Sequence, residues 1–138
     1  MPVDIAWQFG SASGNIASTT LDSKANGSES TVVTYDNSTN KNLYGEVKVK
    51  LGSITPTTGG SITLRIAVND GTDSADATTS ALTYTLPLTT GASAKIVIFE
   101  NVFLPGRSLR LSVTNNSGTT TAGSGNEMHV APYTERIP

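Results

Sequence analysis

The stretch Ser61–Asp70, SITLRIAVND, decides how the rest of the chain is interpreted. Its large apolar residues recur at every second position: Ile62, Leu64, Ile66 and Val68. A period of two is typical of a β-strand with one buried face and one face in water. Turn signals rich in Gly and Asn flank the stretch on both sides. We therefore predict a central strand of an all-β protein.

Similar alternation between turn signals recurs along the chain and predicts about eight short strands. They cover residues 3–9, 31–36, 43–51, 61–70, 82–88, 95–103, 109–113 and 128–133. No segment has a 3.6-residue period, so short, evenly spaced strands favour a β-sandwich or a barrel. Eight strands fit a jelly roll, predicted here as a single domain over residues 1–138 with extended terminal arms. Because strand order cannot be read from the sequence, an immunoglobulin-like sandwich remains an alternative.

Composition excludes several classes of function. Charged residues make up 14% of the chain and the net charge is −2, so there is no basic excess of the kind that nucleic-acid binding requires. The chain has no Cys, which excludes disulfides and thiolate metal sites. No apolar run approaches the roughly 18 residues of a membrane span, and the first residues do not resemble a signal peptide. We expect neither nucleic acid nor membrane as a partner.

Two strands carry further expectations. In the third strand, alternate residues from Leu43 to Leu51 are predicted to point inward, and Gly45 indicates a bulge or a close backbone approach. The run IVIF at residues 96–99 predicts a strand covered on both faces, one of them by another subunit.

The polar segments are interpreted as loops. Residues 10–30 form a long connection with Ile16 and Leu21 as isolated apolar anchors. Residues 115–126, NNSGTTTAGSGN, are predicted to be a flexible loop. Deletion of residues 117–124 is expected to leave the fold intact, because apolar anchors are lacking. Residues 134–138 are predicted to be a tail.

Candidate chemistry is sparse. Asn69, Asp70, Asp73 and Asp76 share one polar loop, where oxygen ligands could bind Ca²⁺. The EF-hand pattern is not met, so a solvated loop is the favoured interpretation. His129 is the one histidine, and it is interpreted as a surface or packed strand residue. We therefore predict no catalytic, cofactor-binding or metal-binding residues.

Carboxylates and aromatic residues were weighed as sites of carbohydrate chemistry. The carboxylates show no pairing that indicates a glycosidase; they are Glu29, Asp36, Glu46 and Glu100. Stacking platforms of a carbohydrate-binding module would have to come from Trp7, Tyr35, Tyr44, Tyr84 and Tyr133. Tyr44 and Tyr133 are the candidates for an outer face, although hydrophobic packing or a subunit contact is the commoner role of such residues.

Three segments resemble small accessory structural proteins of tailed bacteriophages, of the cement or capsid-decoration type. They are DIAWQFG at residues 4–10, SITLRIAVNDGTDSAD at 61–76, and LTYTLPLTTGASAKIVIFENVFLPGRSLRLSVTNNSG at 82–118. The resemblance implies a non-enzymatic jelly roll, made in the host cytoplasm, that forms a homotrimer on the capsid exterior. It also implies the major capsid protein as partner. The alternatives are a carbohydrate-binding module and a phage tail or head-fibre attachment protein.

The predicted strand facing has a direct test. Replacing Ile66 or Leu111 by Arg should abolish folding, because burying an unpaired charge is expensive. Circular dichroism and thermal melting of both variants check this. Cooperative, wild-type-like melting of either variant would refute the assigned facing.

Overall fold

The computed structural model describes residues 6–17, 19–39, 41–68, 82–104 and 108–136, and every helix or strand assigned in them is a strand. The eight strands are β1 (Ala6–Phe9), β2 (Val33–Asp36), β3 (Tyr44–Ile54), β4 (Ser61–Val68), β5 (Leu82–Pro87), β6 (Ser93–Phe103), β7 (Ser108–Asn116) and β8 (Glu127–Arg136). Each predicted segment overlaps one of these strands, so their number and positions are confirmed.

The strands form two four-stranded antiparallel sheets. The first sheet has the order β1-β8-β3-β6 and the second the order β2-β7-β4-β5. The pairs β1·β8, β2·β7, β3·β6 and β4·β5 are nested, as if one long hairpin had been rolled up. This is the strand order of a jelly roll, which confirms the predicted fold class and excludes the immunoglobulin-like alternative.

The inward faces of the two sheets share one hydrophobic core. In β4, Ile62, Leu64 and Ile66 are at most 2% exposed, and Leu111 of β7 is fully buried, as the alternation predicts. The first sheet contributes Val47, Val49, Leu51, Val97, Phe99, Val102, Met128 and Val130. The predicted inward position of Leu43 is wrong, because this residue precedes β3 at the end of the sheet and is 45% exposed.

Gly45 fulfils both parts of its prediction. The register between β3 and β6 shifts between Gly45 and Val47. The backbone of β8 also approaches closely: a Cβ atom at Gly45 would lie 3.1 Å from the carbonyl oxygen of Ala131, as well as 2.6 Å from a methyl carbon of Leu104. On β6 the irregularity coincides with Asn101, whose φ of 53° is in the left-handed region that Asn tolerates better than most residues.

Residues 10–16 continue along the edge of β8 after β1 ends. The amides of Gly10, Ser13 and Ile16 donate to backbone carbonyls of β8 over 2.8–2.9 Å. Side-chain oxygens of Ser13 and Asn15 accept the β8 amides of residues 130 and 128. This segment was predicted as a plain loop, but its polar side chains replace missing strand partners. Ile16 and Leu21 pack against the core as predicted.

The prediction of a flexible loop at residues 115–126 is wrong. Asn115, Ser117, Thr121 and Asn126 are each at most 5% exposed although none is apolar. The Asn115 side chain donates to the carbonyls of Lys24 and Thr119 at 2.9 and 2.7 Å. Hydrogen bonds, not apolar anchors, fix this segment, which is why its composition resembles that of a mobile loop.

Two further segments complete the comparison with the sequence. Residues 134–136, predicted as a tail, extend β8 because they pair with β1. The candidate calcium loop at residues 69–76 lies outside the described residues, as do residues 1–5 and 137–138 of the predicted arms.

Thr121 tests the hydrogen-bonded segment. Its hydroxyl donates to the carbonyl of Leu21 at 2.6 Å and accepts the amide of Lys24 at 2.7 Å. Thr121→Val should lower the free energy of unfolding by about 1–3 kcal/mol, because it leaves buried backbone groups unpaired. Urea denaturation measures the change. The matched control is Thr120→Val, at an exposed neighbour, which should change stability by less than about 0.5 kcal/mol. Equal effects of both variants would contradict this account.

Candidate interaction surface

The outer face of the first sheet carries the most varied chemistry of the described residues. Because the inward residues of β3, β6 and β8 are buried, the intervening ones point outward. Three neighbouring columns result: Glu127, His129, Ala131 and Tyr133 on β8; Lys50, Lys48, Glu46 and Tyr44 on β3; Ile96, Ile98, Glu100 and Phe103 on β6.

The β6 column exposes a row of large apolar side chains, here named the β6 strip: Ile96, Ile98 and Phe103. Their exposed fractions are 62%, 44% and 41%. The inward residues Val97 and Phe99 of the same strand are buried. The sequence predicted cover on both faces of this strand. The inner cover is present, and an outer cover by another subunit stays a prediction.

β6 is also the last strand of its sheet, so one of its edges is unpaired in the described part of the chain. On the opposite edge, the segment 10–16 follows β8 past the end of β1. The second sheet ends with β5 on the same side, where the amide of Phe103 donates to the Tyr84 hydroxyl at 3.4 Å. An unpaired strand edge is a template on which another chain can pair.

An ionic cluster lies on the β8 and β3 columns. The Glu127 carboxylate accepts from Lys50 Nζ at 2.8 Å and contacts His129 Nε2 at 3.0 Å. The hydrogen bonds from Lys50 and His129 lower the pKa of Glu127 to about 2. These side chains are partly exposed, so the pairs position one another more than they stabilise the fold.

His129 lines a shallow depression of about 230 Å³, together with Ala12, Glu46, Lys48, Ile98 and Ala131. Its Nδ1 lies 3.2 Å from the carbonyl oxygen of Ser13, and its Nε2 faces Glu127. Both ring nitrogens face oxygen acceptors, and the tautomer decides which nitrogen donates. The histidine thus lies between the segment 10–16 and Glu127 and contacts both.

The aromatic residues at one end of this face pack on one another. The rings of Tyr44 and Tyr133 are stacked with centroids 6.2 Å apart, and Tyr44 meets Phe103 edge-on at 64°. The Tyr133 hydroxyl donates to Asn101 Oδ1 at 2.6 Å, and burial raises the pKa of Tyr133. Tyr44 and Tyr133 share an outer face, as predicted for the carbohydrate-binding alternative, but Tyr133 is only 8% exposed.

The candidate residues of the second sheet have other surroundings, although the Tyr84 hydroxyl accepts from the Phe103 amide at this end. Tyr35 and Tyr84 pack against the core, and burial raises the pKa of Tyr35. The Ser38 hydroxyl donates to Asp36 at 2.6 Å and lowers the pKa of that carboxyl. On the second sheet, Glu29 accepts from Arg65 and Ser112. The side chain of Trp7 is outside the described part of the structure.

Sequence reasoning missed Lys95. Its residue is only 6% exposed, because it points to the inner side of β6. The alternation of the sequence could have indicated this, because Lys95 lies two and four positions before Val97 and Phe99 and so shares their face of the strand.

Two further searches cover only the described ranges. In them, no three His, Asp or Glu side chains gather where they could hold a metal ion. Likewise, these ranges contain no helix with the length and apolar character that crossing a bilayer requires.

Comparison with known proteins yields structural similarity alone. No protein-family model matches the chain, and no curated protein does. The match to the Yersinia pseudotuberculosis-derived mitogen covers 95% of this chain and 86% of the mitogen chain, at 17% sequence identity and a TM-score of 0.30. The turnip yellow mosaic virus structure matches 100% and 85% at 12% identity, with a TM-score of 0.40. TmCBM61 in complex with beta-1,4-galactotriose matches 97% and 88% at 8% identity, with a TM-score of 0.36.

The ionic cluster predicts a pH dependence of stability. The folded pKa of Glu127 is lowered from 4.5 to about 2. The contribution of this carboxylate is therefore complete above pH 4.5 and is lost as the pH falls towards 2. Glu127→Gln should reduce the free energy of unfolding at pH 6, and the difference from wild type should shrink towards pH 2. Urea denaturation from pH 2 to 7 measures it.

Glu100→Gln is the control, since Glu100 is exposed and forms no ion pair with a described residue. A Glu127→Gln deficit that stays constant from pH 6 to 2 would show that the cluster does not act through the carboxylate charge.

Proposed function

We propose that this protein is a structural component of a tailed-phage virion, a homotrimer that binds the outside of the capsid and stabilises it through protein–protein contacts. The major capsid protein is its proposed partner, and the proposed role is mechanical rather than catalytic. The resemblance of residues 61–76 and 82–118 to decoration proteins supports this proposal. The jelly roll is compatible with it, since that architecture is common in viral shells.

The observation that carries the proposal is the β6 strip on an unpaired edge. Single exposed apolar residues are ordinary on protein surfaces. Here, however, Ile96 and Ile98 are adjacent outward residues of an 11-residue edge strand, and Phe103 follows on the same side. Leu82 of the neighbouring edge strand is 46% exposed as well. Such a surface suits a protein that works while covered by another protein.

The carbohydrate-binding alternative fits the aromatic end less well. Stacking on a sugar requires an accessible, flat aromatic surface. Tyr133 is covered, and the rings of Tyr44 and Phe103 meet at 64° rather than lying side by side in one plane. Tyr44 and Phe103 therefore support interstrand packing more than a sugar platform.

Capsid binding tests the proposed function. Purified protein mixed with tailed-phage capsids that lack it should decorate fixed lattice positions in cryo-electron microscopy. In solution, light scattering should give the mass of a trimer. The double variant Ile96→Ser, Ile98→Ser should fold normally, because both residues are exposed. If each isoleucine contributes about 1 kcal/mol on burial, the double variant should bind capsids roughly thirtyfold more weakly.

Val32→Ser is the matched control, since Val32 is also exposed but lies before β2, on the opposite edge of the sandwich. Undecorated capsids would sink the proposal. Glycan-array binding that disappears on Tyr44→Ala would replace it with the carbohydrate-binding alternative.

A further inference from the structure

Lys95 is a buried cation whose described hydrogen-bond acceptors are neutral. Its Nζ lies 2.9 Å from Ser93 Oγ, 3.4 Å from the carbonyl oxygen of Thr90 and 3.5 Å from Thr89 Oγ1. All three acceptors are neutral, and two of the contacts are long. No carboxylate of the described residues forms an ion pair with Lys95. Buried ammonium groups are normally paired with a negative charge.

The lysine lines a cavity at the edge of the sandwich. The cavity has a volume of about 120 Å³ and lies between the chain after β5 and the first half of β6; its lining is Pro87, Leu88, Thr89, Ala94, Lys95, Ile96 and Val97. One water molecule requires roughly 10–15 Å³ of such space, so a carboxylate head fits. Among the lining residues, Thr89 and Lys95 carry polar side-chain groups, a hydroxyl and an ammonium.

The surroundings indicate a polypeptide rather than a free anion. Ile96, which also lines the cavity, is 62% exposed, so an apolar surface adjoins the buried charge. The edge of β6 is unpaired in the described part of the chain, and an extended segment could add to it by backbone hydrogen bonds. A segment with an acidic residue next to apolar ones matches all three features.

We propose that the Lys95 cavity is a carboxylate-binding site, and that its occupant is an Asp or Glu side chain of a partner protein whose apolar neighbours pack on Ile96 and Ile98. The carboxylate forms an ion pair with the Lys95 ammonium and takes hydrogen bonds from the Ser93 and Thr89 hydroxyls. That the partner is a protein rests on the proposed function. The inference adds the chemistry of one contact with that partner.

Peptide titration tests the site without a capsid. The probe is a blocked five-residue peptide with a central glutamate between two valines; its glutamine counterpart and acetate are the comparison ligands. Nuclear magnetic resonance follows the Lys95 Nζ and the methyl groups of Ile96 and Ile98. The glutamate peptide should bind at least tenfold more tightly than the glutamine peptide, and both sets of signals should shift together.

Variants separate charge from packing. Lys95→Met keeps the length of the side chain and should abolish the preference for glutamate, whereas Lys95→Arg should retain it. Ile96→Ser should weaken both peptides and leave the preference unchanged. If Lys95→Met does not fold, the Lys95→Arg and Ile96→Ser results decide alone.

Equal binding of the two peptides by the wild type, or no shift at Lys95, would overturn the proposal. Acetate binding as tight as peptide binding would overturn the docking part, because a small anion would then suffice. A wild-type oligomer that Lys95→Met dissociates would show that the occupant is a second copy of this chain. A failed titration would overturn the carboxylate site but not the proposed capsid binding. Undecorated capsids would overturn the proposed capsid binding but not a positive titration.

Discussion

The packing of two apolar sheet faces against each other is the constraint on which this structure depends. The strands β2 to β8 contribute apolar side chains to one core, and the nested strand pairs bring those side chains together. The outward positions differ between the sheets: on the first sheet most are charged or apolar, and on the second they include hydroxyl groups such as those of Thr63 and Thr85. The positions outside this core are the sheet edges, the ends of the sheets and the long connections, and the other features of the molecule lie there.

Alternation made the strands and their facing predictable. Ile66 and Leu111 lie in the core, and so do residues two positions away on the same strand face. Leu43 does not follow this alternation because β3 begins one residue later, and the alternation of facing holds only within a strand. The order of the strands could not be predicted, because pairs such as β1·β8 join residues at opposite ends of the chain.

Polar burial was the larger failure of sequence reasoning. Asn126 is 3% exposed, and its side chain accepts the amide of Gly52 at 2.9 Å and donates to Asp22 at 2.6 Å. A Cβ atom at Gly52 would lie 2.3 Å from the carbonyl oxygen of Ser124, so the two segments touch through their backbones. Composition alone does not distinguish such a network from a solvated loop, since the same residue types serve both. Only their partners differ.

The two edges of the first sheet differ in how they are covered. On the β1 side, Ser13 and Asn15 replace backbone acceptors, so the edge of β8 is occupied by the chain itself. On the β6 side, Lys95 points inward, a device that hinders indiscriminate pairing of edge strands. In the proposed contact, the same charge would make this edge selective. A neutral segment that covered Lys95 would remove its remaining access to water without supplying an anion, whereas an acidic segment supplies one. In the proposed contact, an inward lysine beside two exposed isoleucines would both hinder indiscriminate edge pairing and select an acidic partner segment.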